Sequence, residues 1–236
     1  MLKLEPLQIS EIANFANENI KLHDYKLDAE YYYQSLPLCV IDSVYSIGVK
    51  YEIVKKTIKN FCEYNDLQIY RNRIKKFPEF NSQFSVSDFV KLYGNKNAED
   101  LANNIFKNRQ RTSPTNGILK AEAVVLFMKE LYAENINYFQ DLDNISDNFE
   151  QKIKLIKGQK SGISLQYFFM LAGNENLIKP DRMVIRFIEN IVKSQVSQND
   201  CQEILRNVCS ELRKIKIVIS PRKLDNAIWN FQRNQR

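Results

Sequence analysis

The stretch from Leu155 to Phe187, LIKGQKSGISLQYFFMLAGNENLIKPDRMVIRF, decides how the chain reads. A basic turn punctuated by glycine (Lys157, Gly158, Lys160, Ser161, Gly162) opens a helix from Ile163 to Leu171. That helix is apolar on nearly every side, so it is expected to be buried. After the loop at Gly173, Lys179-Pro180-Asp181 starts a second, amphipathic helix. The entry to a helix leaves backbone N–H groups unpaired, and the helix dipole adds to their hold on a phosphate. Glycines let a nucleic-acid backbone approach, and the lysines add charge. Such contacts position a protein without reading sequence.

Outward from this stretch, the pattern is helical throughout. Ile9, Ile12, Phe15, Ala16 and Ile20 recur at helical spacing over residues 8–22, with Ser10 or Gln8 as caps. Tyr31, Tyr32 and Tyr33 read as the aromatic end of a helix over 28–34. Residues 36–48, LPLCVIDSVYSIG, have no polar face and predict a helix at the centre of the fold, started by Pro37 and stopped by Gly48. YEIVKKTIKNFCEYN is amphipathic, with its lysines on one side. Asn72 to Lys76 is basic and leads to Pro78 and several aromatics. Ser85 and Asp88 cap a short helix, and Asp100 to Asn108 reads as another. The loop RQRTSPTNG, 109–117, is either a solvated linker or a phosphate contact through Arg109 and Arg111. Helices follow over Lys120 to Tyr132, Asn137 to Asn144, and from Ser146 to the glycine turn. Asn199 or Asp200 caps a further helix, and Ser220-Pro221 starts the last. Ile215 to Ile219 is the one strand-like run. The expectation is an all-α protein.

Composition narrows the partner. The net charge of +6, with a pI near 9.0, favours an anionic one. No apolar run reaches the roughly 20 residues of a membrane span. The first residues do not form a signal-peptide core, so a cytoplasmic protein is expected. The four cysteines (Cys39, Cys62, Cys201, Cys209) lack metal-binding spacing, and the single histidine, His23, stands beside no nucleophile motif.

The central stretch resembles the helix-hairpin-helix DNA glycosylases. Their hairpin form, L-P-G-V-G-x-x-T-A, stands here as Leu155-Ile-Lys-Gly158-Gln-Lys-Ser-Gly162-Ile-Ser. Gly158 matches, the second glycine is displaced to 162, and the proline and Thr-Ala pair are absent. The family's D-x-x-V-x-R pattern is kept as Asp181, Val184 and Arg186. Leu36 to Phe61 resembles the family's first core helix-turn-helix.

The resemblance implies two helical subdomains with a DNA-binding cleft between them. One comprises 1–35 and 193–236; the other is a core region, 36–192, with the hairpin at about 146–172. It implies a monofunctional glycosylase that hydrolyses the N-glycosidic bond of a modified base flipped from duplex DNA. Asp181 is the implied catalytic carboxylate; a helix cap is its plain structural role. Lys157, Gly158, Lys160, Ser161, Gly162, Ile163 and Ser164 are the implied DNA contacts. Tyr45, Ser46, Ile47, Lys120, Tyr167 and Trp229 are candidates for the base pocket or wedge, each with an alternative place in the core or on the surface. Bifunctional members carry a lysine near the place of Gly162 or Ile163; none stands there. No metal or cofactor is required, although the family's hairpin can hold a monovalent cation on backbone carbonyls. The expected partner is double-stranded DNA, met by a monomer. The competing reading is a helix-hairpin-helix protein that binds DNA without catalysis.

Overall fold

The computed structural model describes residues 4–73 and 76–235. Ile74 and Lys75, within the basic run, lie outside the described residues. The protein is all-α: no strand forms among the described residues, only isolated bridges between Tyr33 and Tyr70 and between Arg111 and Leu119. No described helix is long and apolar enough to cross a membrane.

The helices in chain order are α1 Pro6–Asn19, α2 Leu36–Tyr45, α3 Tyr51–Asn65, α4 Val86–Tyr93, α5 Ala98–Asp100, α6 Lys120–Ala133, α7 Phe149–Leu155, α8 Ile163–Leu171, α9 Arg182–Val192, α10 Gln198–Lys214 and α11 Pro221–Asn234. Local chemistry sets most of their starts. Pro6, Pro37 and Pro221 stand in first turns, where a missing N–H costs nothing. Ser85 Oγ accepts the Asp88 N–H at 3.0 Å, and Asp88 Oδ2 returns a bond to the Ser85 N–H at 3.1 Å. The cap of α10 is Ser197, upstream of the two expected candidates: its Oγ accepts the Asp200 N–H at 3.3 Å and donates to Asp200 Oδ2 at 2.7 Å. Asp200 is thus the reciprocal partner inside the first turn.

Other segments differ from the sequence pattern. The N-cap of α1 is Glu5, ahead of the expected Gln8 and Ser10, and the helix expected over Asn137 to Asn144 is a 3-10 helix, Phe139–Asn144. The tyrosine segment is a 3-10 turn, Ala29–Tyr32, after which Tyr33 pairs with Tyr70 and stacks on its ring. The helix expected from Asp100 widens at once into a π-helix, Leu101–Ile105, closed by Phe106 N–H to Leu101 O at 2.9 Å. That geometry buries Leu101, Ala102, Ile105 and Phe106 together. In the run Ile215 to Ile219, Ile215 and Lys216 are exposed in the turn after α10, and only Ile217 to Ile219 alternate, with Ile217 and Ile219 inside and Val218 78% exposed; no strand lies beside them among the described residues.

The chain forms two compact units, residues 1–28 with 173–236, and residues 29–172. In the first, α1 packs on α9 and α10, and α11 packs on the same two. Ile12, Phe187, Ile188, Leu205, Leu212 and Leu224 form the heart of its core. Phe15, Phe187 and Phe231 meet edge to face.

The second unit is built around α2. Every residue of α2 is buried, because α3, α4, α6 and α8 all pack on it. Phe61 of α3 gathers Phe84, Phe89, Tyr93 and Phe106 around its ring. A helix so enclosed must settle its polar groups internally. Asp42 does so by accepting Tyr33 OH at 2.8 Å and Tyr51 OH at 3.1 Å on Oδ2, and Ser46 OH at 2.5 Å on Oδ1. Burial, then the Asp42 charge, pushes the Tyr33, Tyr51 and Tyr167 phenols well above their ordinary value, so they stay neutral.

Candidate functional site

The glycine turn joins α7 to α8 in the second unit. Gln159 N–H returns to Ile156 O at 2.8 Å, and Gly162 N–H to Gln159 O at 3.0 Å. Gly162 is the N-cap of α8, with φ +72°. Lys157, Lys160 and Ser161 are exposed, and Ile163 is half-buried. Ser161 Oγ accepts the Ile163 N–H at 3.4 Å. Ser164 faces inward, its hydroxyl on the buried Gln159 side chain. The turn thus leaves Lys157 and Lys160 exposed and seals its inner side with an amide–hydroxyl pair.

Gly158, at φ +90°, has a second requirement besides its backbone. A Cβ there would overlap Cβ and Oγ1 of Thr112 and lie 3.2 Å from its Cγ2. The Cβ side of this glycine is thus filled by protein, although Gly158 itself is exposed. Thr112 belongs to the loop 109–117, which is a short ribbon: Thr112 N–H bonds Ile118 O at 2.9 Å, and Lys120 N–H bonds Gln110 O at 2.8 Å. Arg111 braces it through Nη1 to Gly117 O at 2.8 Å, while Arg109 is held by Glu99 and Asn103, each at 2.6 Å. The ribbon therefore abuts the hairpin, a proximity invisible in sequence.

The end of α2 gathers three of the pocket candidates. Lys120, 2% exposed, donates from Nζ to Tyr45 O at 2.9 Å and Ile47 O at 2.7 Å. A cation on the last carbonyls of a helix satisfies both the orphan acceptors and the dipole. Tyr45 is buried against Phe106, and its hydroxyl has no hydrogen-bond partner among the described residues. Ser46 is turned to Asp42, and Ile47 is half-exposed. Tyr167 is enclosed in the Asp42 cluster. Trp229 belongs to the first unit, where Arg233 stands 5.3 Å over its ring.

Asp181 is also in the first unit, as the N-cap of α9. Its Oδ1 accepts the N–H groups of Met183 at 2.8 Å and Val184 at 3.3 Å. It is half-buried. Asp225 of α11 is fully buried; its Oδ1 accepts the Lys179 N–H at 3.2 Å. Burial first, and then the Asp181 charge, pushes the Asp225 carboxyl well above the usual carboxylate range. Asp225 carried no motif; its only sequence signal was a charge on the buried stripe of α11 with Leu224 and Ile228. Among the described residues, no group of three His, Cys, Asp or Glu side chains could hold a metal ion.

These elements define an all-helical protein with a basic glycine turn in one unit and a capping carboxylate beside a buried one in the other. The family model described as a domain of unknown function, DUF8548, matches residues 11–233. The chain belongs to the DUF8548 family. No curated protein and no solved structure matches it.

Proposed function

We propose that the protein is a monofunctional DNA glycosylase that hydrolyses the N-glycosidic bond of a modified base flipped out of duplex DNA. The observation that carries the proposal is Asp181: a carboxylate fixed at a helix entry by two backbone N–H groups, with Oδ2 taking no hydrogen bond among the described residues. The hairpin supports it, with exposed Lys157 and Lys160 ahead of the N-terminus of α8.

In the proposed reaction the bond from the sugar C1′ to the base nitrogen breaks, and its electron pair leaves with the base. Positive charge builds on the sugar ring. Asp181 stabilises that charge and takes the proton of the water that attacks C1′. The base leaves with the electron pair and takes up a proton from solvent, Asp181 gives its proton back to solvent, and an abasic site remains. Gly162 and Ile163 stand at the start of α8, where neither offers an amine for a Schiff base. The turn closes through its own backbone hydrogen bonds, and the chemistry needs no cation at its carbonyls.

The test is a panel of duplexes with different modified bases, incubated with wild type or Asp181→Asn and then treated with alkali. Wild type should leave alkali-sensitive sites on at least one duplex, and borohydride should trap no adduct. Asparagine caps a helix as well as aspartate does, so Asp181→Asn should fold normally and leave none. Salt-dependent binding without cleavage on any duplex would assign the chain to the non-catalytic binding proteins instead.

A further inference from the structure

The backbone that delivers Asp181 is fully accounted for by hydrogen bonds, and one of them comes from an unexpected place. Ile178 N–H donates to Gln202 Oε1 at 3.1 Å. Lys179 N–H donates to Asp225 Oδ1 at 3.2 Å, and Lys179 O accepts the Asp181 N–H at 2.7 Å. Pro180 has no N–H to place, and its carbonyl accepts Gln198 Nε2 at 3.1 Å. Asp181 O accepts the Ile185 N–H at 3.1 Å, as the first bond of α9. Side chains of α10 hold this segment at Ile178 and Pro180. From α11, Asp225 holds it at Lys179.

An amide would serve as that acceptor without any cost of burying charge. Instead the chain places a second carboxyl close enough to Asp181 for their charges to interact. The other ionisable groups that act on Asp225 are Lys179, which favours its charged form more weakly than burial and Asp181 oppose it. Cys201 of α10 lies near both carboxylates, and burial pushes its thiol up to about 12, so it adds no charge at neutral pH. Burial and the neighbouring Asp181 charge therefore both favour the uncharged form of Asp225.

Resting on the reading of Asp181 given above, we infer that Asp225 is a positioning residue: its buried carboxyl, accepting the Lys179 N–H, fixes the Lys179–Pro180–Asp181 segment. The inference adds a regulation of the site. When Asp225 ionises, a second charge is forced into the core beneath the segment and the placement of Asp181 is lost.

The sign follows from the direction of the shift. A carboxyl with its folded-state pKa raised contributes stability that is fully present below the ordinary carboxylate range. That stability falls as pH rises through the raised folded value. Unfolding of the wild type, Asp225→Asn and Asp181→Asn by urea across pH reads this without any substrate. The wild type should lose stability as pH rises from the ordinary carboxylate range through the raised Asp225 value, and Asp225→Asn should lose that dependence. Asp181→Asn should move the fall to lower pH, because the like charge that raises Asp225 is gone. Parallel curves for all three would overturn the inference.

On a cleavable duplex, the fall in kcat that accompanies ionisation of Asp225 should vanish in Asp225→Asn. Asp225→Leu, which removes the acceptor, should lower kcat roughly a hundredfold at every pH, the scale of a small misplacement of a reacting group. A purely structural Asp225 would lower the midpoint of both variants and leave the pH profile of the wild type in place. If the unfolding curves behave as stated and no duplex is cleaved, the coupling stands and the glycosylase reading falls.

Discussion

Replacing Gly158 with alanine adds one methyl group at a point where two elements of the second unit touch. The cost has two sources. A residue with a Cβ at φ +90° is forced into left-handed backbone, at about 1–2 kcal/mol. The new methyl also overlaps Thr112, and overpacking of this kind costs about 1–3 kcal/mol. Together the loss is about 2–5 kcal/mol. For a chain of this size each kcal/mol moves Tm by about 2–4 °C, so melting should fall by roughly 4 to 20 °C. Thr112→Gly separates the two sources, because it removes every Thr112 atom that the methyl would meet. The double variant keeps the backbone cost and loses the steric one. A double-mutant cycle by urea unfolding, followed by circular dichroism, should give a favourable coupling of about 1–3 kcal/mol. Additive losses, within about 0.5 kcal/mol, would show that ribbon and hairpin do not press on each other and would refute the packing explanation for this glycine.

Two further outcomes are expected. Lys157→Ala and Lys160→Ala should each reduce the slope of log affinity for duplex DNA against log salt by about 0.9, additively; Arg109→Ala, whose guanidinium is already held by Glu99, should change it less; unchanged slopes for the two lysines would remove the hairpin from the interface. Lys120→Met keeps the stem and removes the ammonium, leaving the Tyr45 and Ile47 carbonyls unpaired; a loss of about 2 kcal/mol in urea unfolding is expected, and an unchanged or raised midpoint would contradict the role of Lys120 as the cap of α2.

Local chemistry made the helices readable. Proline in a first turn, serine ahead of an acidic residue and apolar spacing act over a few residues, so α2, α3, α4, α6 and α11 stand close to their expected places. The near-total burial of α2 and α8 follows from the lack of a polar face on either. Errors fell where long-range packing competes with local preference. Leu101 to Phe106 has a helical pattern, but bringing four side chains to one side widened the turn. Ile217 to Ile219 has the alternation of a strand, but a strand needs a neighbour, and pattern alone supplies none.

The candidate site divides the same way. Asp181 at a helix entry, the exposed lysines of the hairpin and the start of α8 at Ile163 are properties of contiguous residues, and the amino-acid sequence by itself determined them. Only the tertiary structure decided that Thr112 fills the face of Gly158, that Lys120 closes the end of α2, and that Asp225 supports Lys179. Those pairs are separated by 46, 75 and 46 positions in the chain. No short-range rule couples residues so far apart. Their meeting is set by how buried helix faces pack, and burial then changes their chemistry: it turns a surface-type lysine into a helix cap and pushes the Asp225 carboxyl well above the usual carboxylate range.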